Sequence, residues 1–440
     1  MSSTPLQQWL QFVPPPRPLQ AGERWTVFLS YRSANRAWVM NLYDVLRQHG
    51  HQVFLDQCEL AAGDELITQL QAALRTSQAG VLIWSDATRD SKWVSREYQV
   101  MERQADTKPG FRFIPVVLDG TELPDFAASR IFLDFQAYPD GPNGGELLRL
   151  LHAVVGKSLS PEAAHFALEQ DEASRQASAQ ISAAIKNDRG ERLVELFRQG
   201  GLPWQSSATL GCRAAEGLTK LGKYDLALDV LQQLEQRFPK AVRPKQLRAL
   251  ALNRRFRETK NESDSVAAQD ILGELYALGE RDPETLGIYG ATWMDRYKQT
   301  KDPRHLRQSR DLYREAFEGA HDDYYTGINA ASKSVLLGGD ENLSIASALA
   351  QQVQQIVGTE PRAGDYWLTA TIGEVFLIQQ KYADAARLYT AAVAIAPSEQ
   401  GSHRSTWTQA CALMEKLQPA PGDRALVRQA FEHLPDCNAL

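Results

Sequence analysis

The chain contains little cysteine, and the cysteines that it has are dispersed. Four occur among 440 residues, and none forms a Cys-x-x-Cys pair: Cys58, Cys212, Cys411 and Cys437. Closely spaced cysteines mark zinc sites, and dense cysteines mark small secreted scaffolds held by disulfides. The eight histidines are scattered, and none pairs with a cysteine or an aspartate at ligand or triad spacing. We therefore expect no metal site, no disulfide framework and a reducing, cytoplasmic compartment.

Long apolar runs and an excess of basic charge are also missing. No stretch approaches the roughly 18 consecutive apolar residues of a membrane-spanning helix, and the N-terminus lacks the basic start and apolar core of a signal peptide. The chain has 48 lysines and arginines against 54 aspartates and glutamates, a net charge of −6. Because nucleic-acid binding depends on basic side chains, we expect neither a membrane nor nucleic acid as a partner.

Residues 1–22 form a predicted leader that is rich in proline. Adjacent prolines hold the backbone near the polyproline II conformation and remove hydrogen-bond donors. Two interpretations stay open for this leader. It is either a semi-rigid tail or a clamp that packs Trp9, Leu10 and Phe12 on a neighbouring surface.

Residues 23–157 alternate short apolar strands with helices of 3.6-residue periodicity. The predicted strands are 26–30, 52–56, 80–84, 113–118 and 131–135, with Pro115 weakening the fourth. The predicted helices are 38–49, 64–76, 93–104 and 146–155. Strands separated by helices predict an α/β domain with a five-stranded, parallel, flavodoxin-like sheet. Its switch point would lie between strands one and three, so the loops Tyr31–Asn35 and Asp86–Lys92 should face each other across one crevice.

From residue 158 to residue 440 the strand pattern stops, and helical periodicity with an internal repeat takes over. Tyr224 and Ala227 recur as Tyr382 and Ala385, each followed by a proline at the same offset. A looser third unit covers 305–320. Such repeats are typical of tetratricopeptide-like helix pairs stacked into a solenoid, and an irregular helical bundle is the alternative.

Trp93 and Glu97 are the most informative pair of residues in the chain. Their spacing of four puts an aromatic ring and a carboxylate one turn apart on the same side of a helix. That predicted helix follows a predicted buried strand and a polar loop, so it begins at the carboxyl end of the strand. Open α/β sheets bind ligands at the carboxyl ends of their strands. An aromatic ring that can stack on a base or sugar, beside one carboxylate, suits chemistry on the ribose of a nucleotide.

The α/β part resembles the Toll/interleukin-1 receptor (TIR) family. Three segments carry the resemblance, in order and at sensible spacing: Val27-Phe-Leu-Ser-Tyr-Arg-Ser33, Val53-Phe-Leu-Asp56 with Leu60-Ala-Ala-Gly63, and Ser91-Lys-Trp-Val-Ser-Arg-Glu97. The helical part is similar, more loosely, to the tetratricopeptide-type domain found beside TIR domains in bacterial proteins, and Tyr325–Ala331 is its most distinctive run.

Some TIR domains are adaptors, and others cleave NAD+ at the bond between nicotinamide and ribose. The resemblance implies that Glu97 is the catalytic residue, that Trp93 helps to shape the pocket, and that Arg32 and Ser33 contact the nucleotide. NAD+ would be the substrate, and no further cofactor is expected. Several enzymatic relatives have an acidic residue just before the matched glycine, where this chain has Ala61 and Ala62, so we assign no residue there.

Two functions stay open at this point. The first is an NAD+ glycohydrolase that acts in bacterial immunity against phage, controlled by an unknown trigger at the helical repeats and by self-association through the loop Gln57–Gly63. The second is a non-catalytic adaptor or scaffold. Within the first, the product depends on whether water or the adenine captures the ribose, so hydrolase and cyclase both remain.

Overall fold

The computed structural model describes residues 5–55, 66–89, 92–124, 127, 130–320 and 322–437, and for 5, 66–70, 89 and 92–98 it describes the backbone only. The chain divides into two compact units, Met1–Glu284 and Thr285–Leu440. Within the described residues, no helix is long and apolar enough to cross a membrane.

The first unit contains a five-stranded parallel sheet, which confirms the predicted α/β class. Its strands are β1 (Trp25–Ser30), β2 (Val53–Leu55), β3 (Ser77–Trp84), β4 (Arg112–Val117) and β5 (Leu133–Asp134). Their order is β2-β1-β3-β4-β5, so the chain reverses direction of travel across the sheet between β1 and β3. This is the predicted switch point.

Two strand predictions need correction. β3 begins at Ser77, three residues before the predicted start, because the polar side chains there have partners: the Ser77 hydroxyl donates to the Ala73 carbonyl at 2.8 Å. Pro115 lies within β4 and does not interrupt it, since β5 pairs only with Val116 and Val117. β5 is correspondingly short, and Ile131, a predicted strand residue, is 95% exposed.

Among the described residues, six α-helices accompany the sheet. They are α1 (Pro5–Phe12), α2 (Arg36–Gln48), α3 (Leu66–Arg75), α4 (Asp86–Arg89), α5 (Lys92–Thr107) and α6 (Gly144–Val155). The predicted bounds of α2, α5 and α6 and the predicted end of α3 differ from these by three residues at most, and the predicted start of α3, Asp64, lies outside the described residues. The segment Asp86–Arg89, predicted as a loop, is a short helix.

The leader packs as a clamp rather than as a tail. Trp9 is 1% exposed within the main core, and the ring centroids of Phe12 and Phe166 lie 5.1 Å apart. Within the proline-rich run, the Arg17 guanidinium donates to the carbonyls of Gly110 (3.1 Å) and Gln78 (3.3 Å). Leu10, which the clamp interpretation also buried, is 53% exposed.

The helical part of the first unit follows directly. Its helices are α7 (Pro161–Lys186), α8 (Gly190–Gln199), α9 (Leu202–Gln205), α10 (Thr209–Lys220), α11 (Tyr224–Arg237), α12 (Arg243–Thr259) and α13 (Glu262–Ala277), and α14 (Pro283–Thr300) begins at the unit's end. One hydrophobic core spans the predicted domain boundary at 157. It includes Val27 and Leu29 of β1, Leu147 and Leu151 of α6, and Phe166, Leu202, Val242 and Leu275 of the following helices.

The second unit is helical throughout its described residues. After α14 it contains α15 (Pro303–Gly319), α16 (Tyr324–Leu337), α17 (Asp340–Val357), α18 (Tyr366–Ile378), α19 (Tyr382–Ile395), α20 (Gln400–Leu417) and α21 (Pro421–Gln429). From α15 to α19, each helix packs on the next. The repeat register holds: Tyr224 and Tyr382 each begin a helix, and Ala227 and Ala385 are both fully buried. Small residues there let neighbouring helices approach closely. The region is tetratricopeptide-like, as predicted.

A disulfide joins Cys411 and Cys437, whose Cα atoms are 5.5 Å apart. The dispersed cysteines predicted no disulfide framework, and this single disulfide was not predicted. The two cysteines are 26 residues apart in sequence, and the chain returns past α20 after α21 to bring them together. Cys212 is a buried free thiol, and Cys58 lies outside the described residues.

The start of α6 is capped by a residue from beyond the sheet. The Asp171 carboxylate of α7 accepts hydrogen bonds from the backbone N–H groups of Gly145 (2.7 Å) and Glu146 (3.2 Å) and from the Tyr138 hydroxyl (2.8 Å). Gly145 has no side chain in the way: a Cβ atom there would lie 2.2 Å from the Ala167 carbonyl oxygen. The close approach of α7 to α6 therefore depends on this glycine.

Replacing Gly145 by alanine is expected to lower the free energy of unfolding by about 3 kcal/mol, because the added methyl group must push α7 away from its cap. Urea unfolding followed by circular dichroism measures this. Gly401→Ala is the matched control, since Gly401 is also the second residue of a helix and a Cβ there meets nothing within 4 Å. Equal stability of the two variants would contradict the argument.

Candidate active site

The loops after β1 and β3 meet at the carboxyl edge of the sheet. The Asn35 side-chain amide donates to the Ser85 hydroxyl at 2.8 Å. Asn35 ends a short 3-10 turn (Ser33–Asn35) between β1 and α2, and Ser85 is the residue after β3. The two sides of the predicted crevice are therefore joined by a direct hydrogen bond.

Ser85 also organises its own loop. Its backbone N–H donates to the Thr88 hydroxyl at 2.7 Å, and the two hydroxyl oxygens lie 3.1 Å apart. Both residues are buried. Because both its hydroxyl and its backbone N–H form hydrogen bonds, Ser85 holds the first turn of α4 in one position.

The loop after β4 also forms hydrogen bonds with the end of β3 and the start of α4. The Asp119 carboxylate accepts hydrogen bonds from the backbone N–H groups of Asp86 (2.8 Å) and Thr121 (2.9 Å), and the Trp84 indole N–H donates to the Glu122 carbonyl (3.0 Å). These contacts tie the β4 loop to the start of α4. The sequence analysis gave no individual role to Asn35 and Thr88, which lie in the two loops that it predicted to meet, and it did not include Asp119. Only the run Asp119-Gly-Thr121, a turn signal directly after a strand, hints at one of them.

Arg32 and Ser33 lie in the β1 loop beside Asn35, and both are partly exposed. Arg32 has an extended backbone (φ −99°, ψ 145°) and precedes the 3-10 turn. The structure thus puts both residues at the edge of the sheet where Ser85 ends β3. Their contact with a nucleotide stays a prediction.

Trp93 and Glu97 both belong to α5, so the predicted helix and the one-turn spacing hold for the backbone. Their side chains lie outside the described residues, and so does the loop Gln57–Gly63. The roles predicted for Trp93 and Glu97 therefore stay predictions.

The described end of α5 shows how this helix is held. Met101 is fully buried, and a Cβ atom on Gly80 of β3 would come within 2.9 Å of its sulfur. The Gln104 amide donates to the carbonyls of Leu74 (3.3 Å) and Arg75 (3.1 Å) at the end of α3. Because a helix is stiff over a few turns, these contacts also limit the movement of its first turns.

Comparison with known families identifies the sheet. Residues 27–149 match the family described as the TIR domain. This segment is a TIR domain. Residues 223–337, which include α11 to α16, match the family described as Tetratricopeptide Repeats-Sensor, and they form its repeat domain.

Individual relatives are more distant. Among curated proteins, the chain is similar to the probable 2′ cyclic ADP-D-ribose synthase TcpB of Brucella melitensis biotype 1, with 30% identity over 80 residues, 18% of this chain. The matched part is 32% of that relative's own length. Among solved structures, the crystal structure of TTC0263, a thermophilic tetratricopeptide protein of Thermus thermophilus, is 17% identical with a TM-score of 0.35, covering 46% of this chain and 97% of that one.

The described residues of the TIR domain and of the helices hold no group of three or more histidine, cysteine, aspartate or glutamate side chains placed to bind a metal ion.

Proposed function

We propose that this protein cleaves NAD+ at the bond between nicotinamide and ribose, with Glu97 as the catalytic carboxylate. The observation that carries the proposal is the TIR domain match, with Glu97 one turn after Trp93 on a helix that begins at the carboxyl edge of the sheet. The similarity of 80 residues of this chain to a probable 2′ cyclic ADP-D-ribose synthase supports the same chemistry.

One carboxylate is enough for this reaction. Nicotinamide carries the positive charge in NAD+ and leaves as a neutral molecule with the electron pair of the C1′–N bond, so no acid has to protonate it. The ribose left behind develops oxocarbenium character, as in glycoside hydrolysis. The Glu97 carboxylate stabilises that cation and accepts hydrogen bonds from the ribose hydroxyls. Water then adds to C1′ and releases a proton, or a group of the same molecule adds and closes a ring.

The other site residues take binding roles in this proposal. Trp93 shapes the pocket, and Arg32 and Ser33 contact the nucleotide from the β1 loop. The hydrogen bond between Asn35 and Ser85 holds that loop against the end of β3, so that a nucleotide meets a preformed surface. NAD+ is the substrate, and the proposal requires no cofactor.

The proposal extends to biological context. We infer that the enzyme serves bacterial immunity against phage, in the cytoplasm, and that a protein or ligand at the repeat domain triggers it. Self-association of TIR domains completes the active form. The family description of the repeats as a sensor supports the regulatory part of this inference.

Incubation of the full chain with NAD+, with products separated by chromatography, tests the proposal. We expect free nicotinamide together with ADP-ribose or a cyclic form, at a rate that rises faster than linearly with protein concentration. The second product distinguishes hydrolase from cyclase. Intact NAD+ at high protein concentration, where the chain self-associates, would instead favour a TIR adaptor.

A further inference from the structure

Helix α2 of the TIR domain caps a helix of the repeat domain. The two carboxylate oxygens of Asp44 accept hydrogen bonds from the backbone N–H groups of Val242 and Arg243, each at 2.8 Å. These N–H groups stand at the start of α12, which has no side-chain cap of its own at Val242. A carboxylate at this position satisfies donors that the helix leaves unpaired and complements the helix dipole.

A second contact lies one turn further along α2. The Arg47 guanidinium pairs with the Glu280 carboxylate at 2.5 Å and donates to the Tyr43 hydroxyl at 2.9 Å. Glu280 is buried and, like α12, lies within the segment 223–337 that matches the sensor family. The repeat domain therefore holds α2 of the TIR domain at two successive turns.

These contacts connect to a wider network of charges. The side chain of Arg243, which follows the capped N–H groups, is buried between two carboxylates. It pairs with Glu216 of α10 at 2.6 Å and with Glu284 at 2.8 Å. A shift of α12 would therefore disturb the Asp44 cap and the arginine pairs together.

The Asp44 contact is polar in a place that excludes water. Asp44 is 6% exposed, and burial raises the pKa of its carboxyl to about 7 against the lowering effect of its backbone hydrogen bonds and of Arg47. A buried charge of this kind is weak evidence for stability, because an apolar contact of similar volume often stabilises as well or better. It suits a contact that must form in one register and be released.

The other end of α2 reaches the candidate active site. The helix begins at Arg36, directly after Asn35, whose amide holds the β1 loop against Ser85. Arg32 and Ser33 belong to that loop. A helix of 13 residues is about 20 Å long, and α2 is buried from Trp38 to Leu46, so it moves as one rigid element. A displacement at Asp44 would thereby be carried to the loop.

We propose that the repeat domain restrains the NAD+ site through α2, with Asp44 and Arg47 as the contacts that a trigger releases. The proposal rests on the proposed function only in taking this site as the one where NAD+ is cleaved. While α12 and Glu280 hold α2, the β1 loop stays in its resting position. A trigger that binds the repeats better when α12 has moved shifts the chain towards the released state.

Asp44→Asn in the full chain tests the coupling, since the amide keeps the shape but turns one acceptor into a donor. Amide hydrogen exchange at residues 31–48 and NAD+ cleavage are measured together. Each is expected to rise about tenfold. Glu280→Gln, which removes the charge that pairs with Arg47 and that accepts from the Tyr43 hydroxyl (3.4 Å), is expected to act in the same direction. Asp264→Asn is the matched control, because Asp264 is a buried aspartate of α13 that pairs with Arg255 of α12.

The outcomes separate the two proposals. Unchanged exchange at residues 31–35 in both Asp44→Asn and Glu280→Gln would overturn the coupling, and so would an equal response in Asp264→Asn. Faster exchange with slower cleavage would overturn the restraint, because α2 would then support the site. Faster exchange in a protein that never cleaves NAD+ would support the coupling and overturn the proposed function. A thermal unfolding curve for each variant confirms that it is folded.

Discussion

Glutamine in place of Glu97 is expected to lower kcat for NAD+ cleavage about a hundredfold or more. The substitution keeps the shape of the side chain and removes the negative charge that faces the ribose cation. Loss of such a preorganised electrostatic contact costs about 3 kcal/mol in the transition state, which corresponds to that factor in rate. KM is expected to change little, since the ribose carries no such charge in the ground state. Nicotinamide release at saturating NAD+ gives kcat directly.

Glu102→Gln is the control for this experiment. Glu102 lies on the same helix, one and a half turns after Glu97, and it is partly exposed. The control removes the same charge from the same element, so an electrostatic effect on α5 as a whole would appear in both variants. Cleavage that persists in Glu97→Gln would mean that another residue carries the reaction.

A chain that ends at residue 157 is expected to lack cooperative unfolding, whereas a chain that ends at residue 284 is expected to retain it. The shorter chain loses Asp171, so Gly145 and Glu146 at the start of α6 lose their acceptor. Each buried donor left without a partner costs about 1–3 kcal/mol. The same truncation strips Phe166, Leu202, Val242 and Leu275 from the core that β1 and α6 share. Small domains have only about 5–15 kcal/mol to lose.

Urea titrations of both chains, followed by tryptophan fluorescence and circular dichroism, measure this difference. Asp171→Asn in the longer chain separates the cap from the loss of core, and it is expected to lower the urea midpoint without abolishing the transition. Two chains with the same midpoint would show that the sheet folds independently of α7 to α13.

Much of the secondary structure was predictable because hydrophobic periodicity is a local property. The five parallel strands, their flavodoxin-like order and the positions of α2, α5 and α6 all follow from runs and stripes of apolar residues. The repeat that pairs Ala227 with Ala385 was visible for the same reason. The errors fall where the local pattern misleads. At the start of β3 the polar Gln78 belongs to the strand, because its side-chain amide donates to the Pro18 carbonyl and the Glu23 carboxylate, 60 and 55 residues away in sequence. At the predicted start of β5, the apolar Ile131 is 95% exposed.

Some features of the candidate site could be predicted from the sequence, and others could not. The spacing of Trp93 and Glu97 and the loop with Arg32 and Ser33 could be identified from the sequence, because the motif is contiguous and the switch point follows from strand order. The hydrogen bond from Asn35 to Ser85 spans 50 residues, and that from Asp86 to Asp119 spans 33. In the sequence, Asn35 and Asp119 look like ordinary turn residues, so their role in joining the loops could not be predicted.

The order of strands and helices, the two fold classes and the family of the first part were all encoded in local patterns, which side-chain periodicity and short motifs reveal. The contacts that join the sheet to the helical part were not visible in these local patterns. The predicted boundary at 157 carries no sign that Asp171 caps a helix of the sheet part or that Asp44 caps a helix of the repeats. An aspartate can cap any helix end that folding brings to it, and a core accepts any apolar side chain of suitable shape. Such contacts depend on the meeting of distant segments, so they become visible only when the chain has folded.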